Sequence, residues 1–367
     1  MEKIIVFKAP VFNRHGMVPA LSRLLSRSGA ERIQSLPLIN GILCHLPQQF
    51  NEKTIKDAPE VLALEDNVRV KLRPFTLERR WPFFANPWKK DQVIPWGVDR
   101  IGANKVWNYS RGENVRVAVL DSGIDLDHPD LVKNIKGGIN ILNQTPIPED
   151  DNGHGTHVAG TIAAEDNATG VVGVAPAVDI YAVKIIDNNG DGTLADIIKG
   201  IDWCIRNRMQ IANLSVGTDR QLVSLKVAVT NAYRAGLIMV SAAGNDGINN
   251  SVDFPGAYPE VISVGAVDQH NQLAPFSSRG PEVTVIAPGS GIYSTSLNGT
   301  FLRLSGTSMA TPHVTGLIAL ALKMNPRITT NKLIEMFKQT CDKLQLTSSE
   351  QGFGLINAER FLQAVLK

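Results

Sequence analysis

Cysteine is scarce in this 367-residue chain: Cys44, Cys204 and Cys341 stand far apart and are odd in number. That supply gives neither a disulfide framework nor the paired spacing of a zinc site, and the three read most simply as small buried apolar residues. Excess charge of either sign is also lacking. Lys and Arg number 37 against 35 Asp and Glu, a formal net charge of +2. Such a balance gives no reason to expect nucleic acid or an anionic membrane as a partner. No apolar run approaches the length of a membrane span. The N-terminal Met1-Glu-Lys-Ile-Ile-Val-Phe-Lys holds too short an apolar run for a secretory signal. The expectation is therefore a cytoplasmic protein, or an extracellular one if a signal has been removed or another export route is used. What is present, 43% hydrophobic and 20% charged residues, suits an ordinary globular protein with one large domain and one small one.

Residues 1–72 read as a compact α+β unit. Ile4 to Phe7 predicts a strand, Met17 to Leu25 has helical apolar spacing, and Ile33 to Leu46 predicts a strand pair turning at Asn40-Gly41. A short helix near Glu52 to Asp57 and a last strand from Val61 to Leu72 complete the β-α-β-β-α-β order of the ferredoxin-like split motif. Residues 73–91 change character, with Arg73, Arg79, Arg80, Lys89 and Lys90 among prolines and aromatics, as in a linker or processing segment. Across residues 92–367, strand-like runs alternate with helical patterns. The predicted strands are Val115 to Leu120, Ile180 to Ile186, Ile211 to Ser215, Leu237 to Ala242 and Val261 to Val264. Helices are predicted over Leu194 to Asn207 and Leu222 to Ala235. The alternation points to an α/β domain with a largely parallel sheet and helices on both faces. Ligand sites in such sheets lie beyond the carboxyl ends of the strands.

The polar motifs fall at those ends. Val115-Arg-Val-Ala-Val-Leu-Asp-Ser-Gly closes a strand on Asp121, and Asp151-Asn-Gly-His-Gly-Thr-His-Val-Ala-Gly puts His154 just ahead of a small-residue helix. Val240-Ser-Ala-Ala-Gly-Asn-Asp-Gly brings Asn245 to another strand end. Ser305-Gly-Thr-Ser-Met-Ala-Thr-Pro-His-Val-Thr-Gly sets Ser308 on a tight loop feeding a buried helix, with Pro312 expected in the first turn. Each alone has a structural reading as a cap, turn or core histidine. Together they supply an acid, a base, an amide donor and a hydroxyl at element boundaries on one rim, the parts of a nucleophilic hydrolase.

With these flanking residues, the chain order Asp, His, Ser resembles the subtilisin family of serine proteases, across nearly all of residues 92–367. The resemblance implies that Ser308 is the nucleophile, His154 the general base and Asp121 the group orienting it. Asn245 and the Ser308 backbone N–H would bind the oxyanion, and His157 would be structural. It further implies protein and peptide substrates. One substrate edge would run through Ser215, Val216 and Gly217, and the opposite wall through Gly192 and Leu194, the latter at the S4 subsite. Thr218 stands where the family usually has a second glycine. Asp246 and Asp253 fall at the rim and base of the S1 pocket in this alignment, where two carboxylates would favour Lys or Arg at P1; solvent-facing aspartates are the other reading.

Calcium is the implied ion. Gln92, Asp130 and Asn167 match side-chain ligands of the family's tight site, with Glu165, Thr169 and Val171 adding backbone carbonyls. Residues 1–72 resemble the inhibitory, chaperone-like propeptide of subtilisins, to be cut away within residues 71–91. The expected species is a self-processing monomeric endopeptidase. The sequence also admits two other readings: a catalytically silent binding or scaffold protein on the same fold, and a lipase or esterase. Against the latter, no Gly-x-Ser-x-Gly elbow surrounds Ser308.

Overall fold

A computed structural model describes residues 1–13, 16–72, 76–77 and 92–366. Most of the basic segment 73–91, including Arg73, Arg79, Arg80, Lys89 and Lys90, lies outside them. In the N-terminal unit, four antiparallel strands stand in the order Glu31–Leu36, Gly41–His45, Glu2–Phe7, Val61–Asp66. That is the strand order of the split βαβ motif. The alternation of the first strand explains its place: Ile5 and Phe7 pack on Leu21 and Leu25 of the helix Pro19–Ser28. Ile4 and Val6 face the opposite way, into a core shared with the large domain. The turn of the strand pair is wider than the Asn40-Gly41 signal suggests. A 3-10 turn, Pro37–Ile39, precedes Asn40, which holds the left-handed φ of 49°.

The single predicted strand Val61 to Leu72 is in fact two. Val61–Asp66 closes the sheet of the unit, whereas Arg69–Lys71 leaves it and pairs with Asp191–Thr193 of the large domain. Composition could not show the break, since both halves alternate alike.

The large domain is built on a seven-stranded, wholly parallel sheet. Its order is Ile135–Asn140, Asp179–Lys184, Arg116–Asp121, Ile211–Leu214, Ile238–Ala242, Ile262–Val267, Val285–Pro288. Two of these were missed in the sequence: Ile135–Asn140, interrupted by Gly137-Gly138, and the four-residue Val285–Pro288. Glycine and proline are poor strand signals. Alternate residues serve opposite faces. Val117 and Val119 enter one core with the helices His154–Ala163 and Thr307–Met324, and Ala118 and Leu120 enter the other with Leu194–Arg206 and Val223–Arg234. Residues Thr307 to Leu322 are all buried, so the last long helix runs through the interior. Cys44 and Cys204 are buried and Cys341 half-buried, all with free thiols. No helix among the described residues is long and apolar enough to cross a membrane.

Both helices that pack on the N-terminal unit are capped by it. Glu65 accepts from the backbone N–H groups of Val223 (2.7 Å) and Ser224 (3.0 Å), and Asn67 Oδ1 from that of Ala195 (3.0 Å). These are donors that a helix cannot satisfy from within its first turn.

His157 and His313 lie wholly inside the helical face of the core, and burial depresses their pKa values to about 3 and about 4. In the unfolded chain both titrate near the ordinary histidine value of about 6.5. Their contribution is thus complete above that pH and is lost as pH falls towards the folded values. Around pH 5 each adds about one proton to the uptake on unfolding. The slope of unfolding free energy against pH is expected to become shallower by about one proton in His313→Gln. Identical slopes for the two proteins would contradict this.

Candidate active site

Asp121 ends the strand Arg116–Asp121, and His154 opens the helix His154–Ala163. The helix can approach because Gly155 has no side chain. A Cβ there would fall 2.1 Å from the Gly123 carbonyl oxygen and 3.2 Å from Asp121 Cβ. Gly153, at φ 98°, makes the left-handed entry that turns the chain into the helix. The result is a fully buried pair, with His154 Nδ1 2.8 Å from Asp121 Oδ1. The Ser122 backbone N–H donates to the same oxygen at 2.7 Å.

Asp150, absent from the sequence-based candidates, organises this corner. It is buried, and its carboxylate accepts from Ser122 Oγ (2.8 Å), the N–H groups of Asn152 and Gly153 (both 3.0 Å), and the N–H (3.0 Å) and hydroxyl (2.6 Å) of Thr156. Ser122 Oγ in turn accepts the Gly155 N–H at 3.0 Å. One carboxylate therefore ties the residue after Asp121 to the turn before His154. Its signal was an aspartate four residues ahead of His154 in a Gly-containing turn. Lys184, opposite Asp121 in the neighbouring strand, is also buried and pairs with Asp151 at 2.6 Å.

Ser308 is the second residue of the helix Thr307–Met324. Pro312 is not in the first turn as expected but is the sixth residue of the helix. Lacking an N–H, it cannot bond the Ser308 carbonyl four residues back. That carbonyl instead accepts from Ser215 Oγ at 3.4 Å, while Ser308 Oγ donates to the Ser215 carbonyl at 3.2 Å. Behind them, Asn213 Nδ2 donates to Ser215 Oγ (3.1 Å) and Thr315 Oγ1 to Asn213 Oδ1 (2.8 Å). Asn245 approaches from the strand end of Ile238–Ala242. Its Oδ1 accepts from the backbone N–H (2.9 Å) and hydroxyl (2.8 Å) of Thr307, which fixes the orientation of the amide.

The remaining candidates fall into three groups. Gly192, Leu194, Ser215, Val216 and Gly217 line two facing edges, and all five are buried. Thr218 exchanges both backbone hydrogen bonds with Phe254. Asp246 and Asp253 part company: Asp246 is exposed, whereas Asp253 is buried. A Cβ added at Gly244 would meet Asp253 Oδ2 at 2.8 Å, and one at Gly217 would meet Asp253 Cβ at 3.0 Å. The Asp253 carboxylate thus lies between the Ser215–Gly217 edge and the Asn245 loop.

Gln92, Asp130, Glu165, Asn167 and Val171 converge on a separate loop. The Gln92 amide lies within hydrogen-bonding distance of the Glu165 and Val171 carbonyls, the latter at 3.0 Å. Asp130, buried, accepts from Asn167 Nδ2 (2.9 Å) and the Val171 N–H (2.8 Å). Desolvation pushes its pKa up to about 7 against those two hydrogen bonds. Thr169 is exposed and donates twice to Asn167 Oδ1. No cluster of three or more His, Cys, Asp or Glu suited to a metal occurs among the described residues. The donors gathered here are chiefly amides and carbonyls around one carboxylate.

The two facing edges also carry a strand of the N-terminal unit. The strand Arg69–Lys71 pairs antiparallel with Asp191–Thr193 on one side, and Lys71 forms a bridge to Gly217 on the other. Leu194 N–H donates to Val68 O (3.0 Å) and Leu72 N–H to Gly190 O (2.9 Å). Val70 is buried in the same cluster as Leu194.

A buried acid–imidazole pair and a helix-borne serine, each at an element end on a parallel sheet, suit a serine hydrolase. The chain belongs to the subtilase family, whose model, described as "Subtilase family", matches residues 112–355. It is 43% identical over 312 residues to the "Thermostable alkaline protease" of Halalkalibacterium halodurans, covering 85% of this chain and 80% of that one. Identity to "Subtilisin DY" of Bacillus licheniformis is 42%, over 74% of this chain and all of the relative (100%). For "Subtilisin E" of Bacillus subtilis it is 44%, over 74% and 72%. Another relative, 40% identical, is named "Minor extracellular protease Epr". The protein is a serine-type endopeptidase acting on peptide substrates.

Because Asp150 satisfies five donors in a buried corner, Asp150→Ala is expected to lower stability by about 3 kcal/mol. Urea unfolding of Asp150→Ala beside the unaltered protein measures it. A loss within about 0.5 kcal/mol, typical of a surface change, would deny Asp150 this role.

Proposed function

We propose that the chain is a self-processing zymogen that cuts internal peptide bonds through Asp121, His154 and Ser308, with Asn245 as oxyanion donor. The observation that carries this reading is the buried 2.8 Å contact between His154 Nδ1 and Asp121 Oδ1. It holds the Nδ1–H tautomer and leaves Nε2 as the basic nitrogen. Ser308 Oγ attacks the substrate carbonyl carbon as His154 Nε2 takes its proton, and the same proton then passes to the leaving amine. The negative charge on the carbonyl oxygen is met by Asn245 Nδ2 and the Ser308 backbone N–H, at the positive end of the buried helix. Water repeats the attack and releases the acyl group. Ser308→Ala is expected to abolish hydrolysis of casein and self-cleavage while leaving the fold intact. Self-cleavage persisting in that variant would remove Ser308 from the role.

Asp253 gives the S1 pocket a preference for Lys or Arg at P1, the residue whose carbonyl is attacked. Its burial beneath Gly244 and beside Gly217 supports this, since a carboxylate in a partly dry pocket pairs strongly with a cation. The exposed Asp246 has at most a rim role. Peptides with Lys at P1 are expected to be cut faster than those with Phe, and Asp253→Ser to reverse the order. Equal or better cleavage after Phe by the unaltered protein would end the idea.

The N-terminal unit, residues 1–72, inhibits the enzyme and assists its folding. It is supported in both roles by its caps on two helices and by the strand Arg69–Lys71 in the cleft.

The loop around Asp130 suits Ca²⁺. Gln92, Asp130 and Asn167 side chains with the Glu165, Thr169 and Val171 carbonyls would hold it, the Gln92 amide turning its oxygen inward. Such an ion would neutralise a carboxylate that burial otherwise disfavours, and would tie residue 92 to the calcium loop. Excess EDTA is expected to lower the melting temperature relative to millimolar calcium, because an ion bound only to the native state stabilises it by mass action. An unchanged melting temperature would rule the site out.

A further inference from the structure

We infer that Asp191 is a specificity residue that selects a basic side chain at P3, two positions before the residue whose carbonyl is attacked. The inference rests on the reading of Ser308 as nucleophile. The segment 68–72, with the strand Arg69–Lys71 at its centre, lies between two edges as an extended substrate would. Arg69, Val70 and Lys71 pair antiparallel with Thr193, Gly192 and Asp191, and Lys71 bridges Gly217 across the cleft. That register defines the substrate positions. A residue opposite Gly217 is two residues before one opposite Ser215, because the strands are antiparallel. Ser308 Oγ is bonded to the Ser215 carbonyl, so the residue opposite Ser215 presents its own carbonyl to the nucleophile and is P1. The residue opposite Gly217 is then P3, a place held here by Lys71.

Lys71 Nζ lies 3.1 Å from Asp191 Oδ1. Asp191 does not need to be ordered by its partner, because the loop it closes is already rigid. Its N–H donates to Asp187 Oδ1 (2.9 Å), its carbonyl accepts from the Asp187 N–H (2.8 Å), and Gly190 N–H bonds the Asp187 carbonyl (3.0 Å). The Lys71 side chain is 67% exposed and that of Asp191 27%. The Lys71 end of the pair is open to solvent, although the Asp191 oxygen it faces is buried, and that sets its size: a few-fold preference that weakens with salt. Read with Val70 beside Leu194, the cleft takes an apolar residue followed directly by a basic one.

The test uses quenched-fluorescence peptides containing Val-Lys-Leu or Val-Ala-Leu before the P1 residue, each made with Arg and with Phe at P1, and the processed active protein. Lys at P3 is expected to raise kcat/KM about two- to fivefold over Ala at low salt within each P1 series. That ratio should fall to about one in Asp191→Asn. A P1 preference that fails leaves the within-series comparison intact, so the two readings are judged separately. Equal rates for Lys and Ala at P3, or a preference that survives in Asp191→Asn, would overturn the assignment. A second arm needs no activity. In the uncut Ser308→Ala chain, amide exchange at Arg69–Leu72 is expected to quicken about two- to fivefold in Lys71→Met and in Asp191→Asn. The double variant should show no further gain. Additive gains would equally overturn the pairing.

Discussion

Parallel pairing is the constraint from which the rest follows. Seven strands running one way put all their carboxyl ends along a single edge, so the chain must leave every strand on that side. Asp121, Ser215 and the loop to Asn245 are at that edge because their strands stop there. The two face-covering helices that begin nearby, His154–Ala163 and Thr307–Met324, bring a histidine and a serine to the same edge by their first residues. No side chain at the site had to be carried on a long mobile loop.

That economy of placement forces polar groups into the interior, where each needs a partner. The chain meets the demand with short links between elements. Asp150 joins the Asp121 strand to the His154 turn, and Thr315, Asn213 and Ser215 form a buried relay to Ser308. Pro312 has a specific part in this. By withholding one helical hydrogen bond it frees the Ser308 carbonyl for the Ser215 hydroxyl, which couples Ser308 to the Ser215–Gly217 edge. A networked interior of this sort is rigid, which suits a site built for oriented attack.

The cleft and the N-terminal unit make a second system governed by the same backbone chemistry. Two exposed strand edges are templates for a further strand, and Arg69–Lys71 fills the space between them. Glu65 and Asn67, a few residues upstream, satisfy the starts of the helices Val223–Arg234 and Leu194–Arg206. The unit therefore covers an apolar face, caps two helices and pairs with two edges over one short run of chain.

Much of this was legible in the residues. Alternating apolar runs gave the parallel sheet and both outer helices, because periodicity reports burial directly. The polar motifs stood out because Asp121, His154, Asn245 and Ser308 each interrupt an apolar element at its end. Other features depended on distance in space between residues far apart in the chain. Asp150 gathers donors from Ser122 through Thr156, a grouping that no local pattern encodes. The break after Asp66 was invisible, since Arg69–Lys71 continues the same alternation and only its new partner, Asp191–Thr193, makes it a separate strand. Asp246 and Asp253 look alike as residues near a turn, yet one is exposed and the other is enclosed by Gly217 and Gly244. Sequence determined which groups the chain possesses and which elements carry them, because propensity and periodicity are local. Tertiary structure decided which of those groups meet, because burial and register are set by the whole fold.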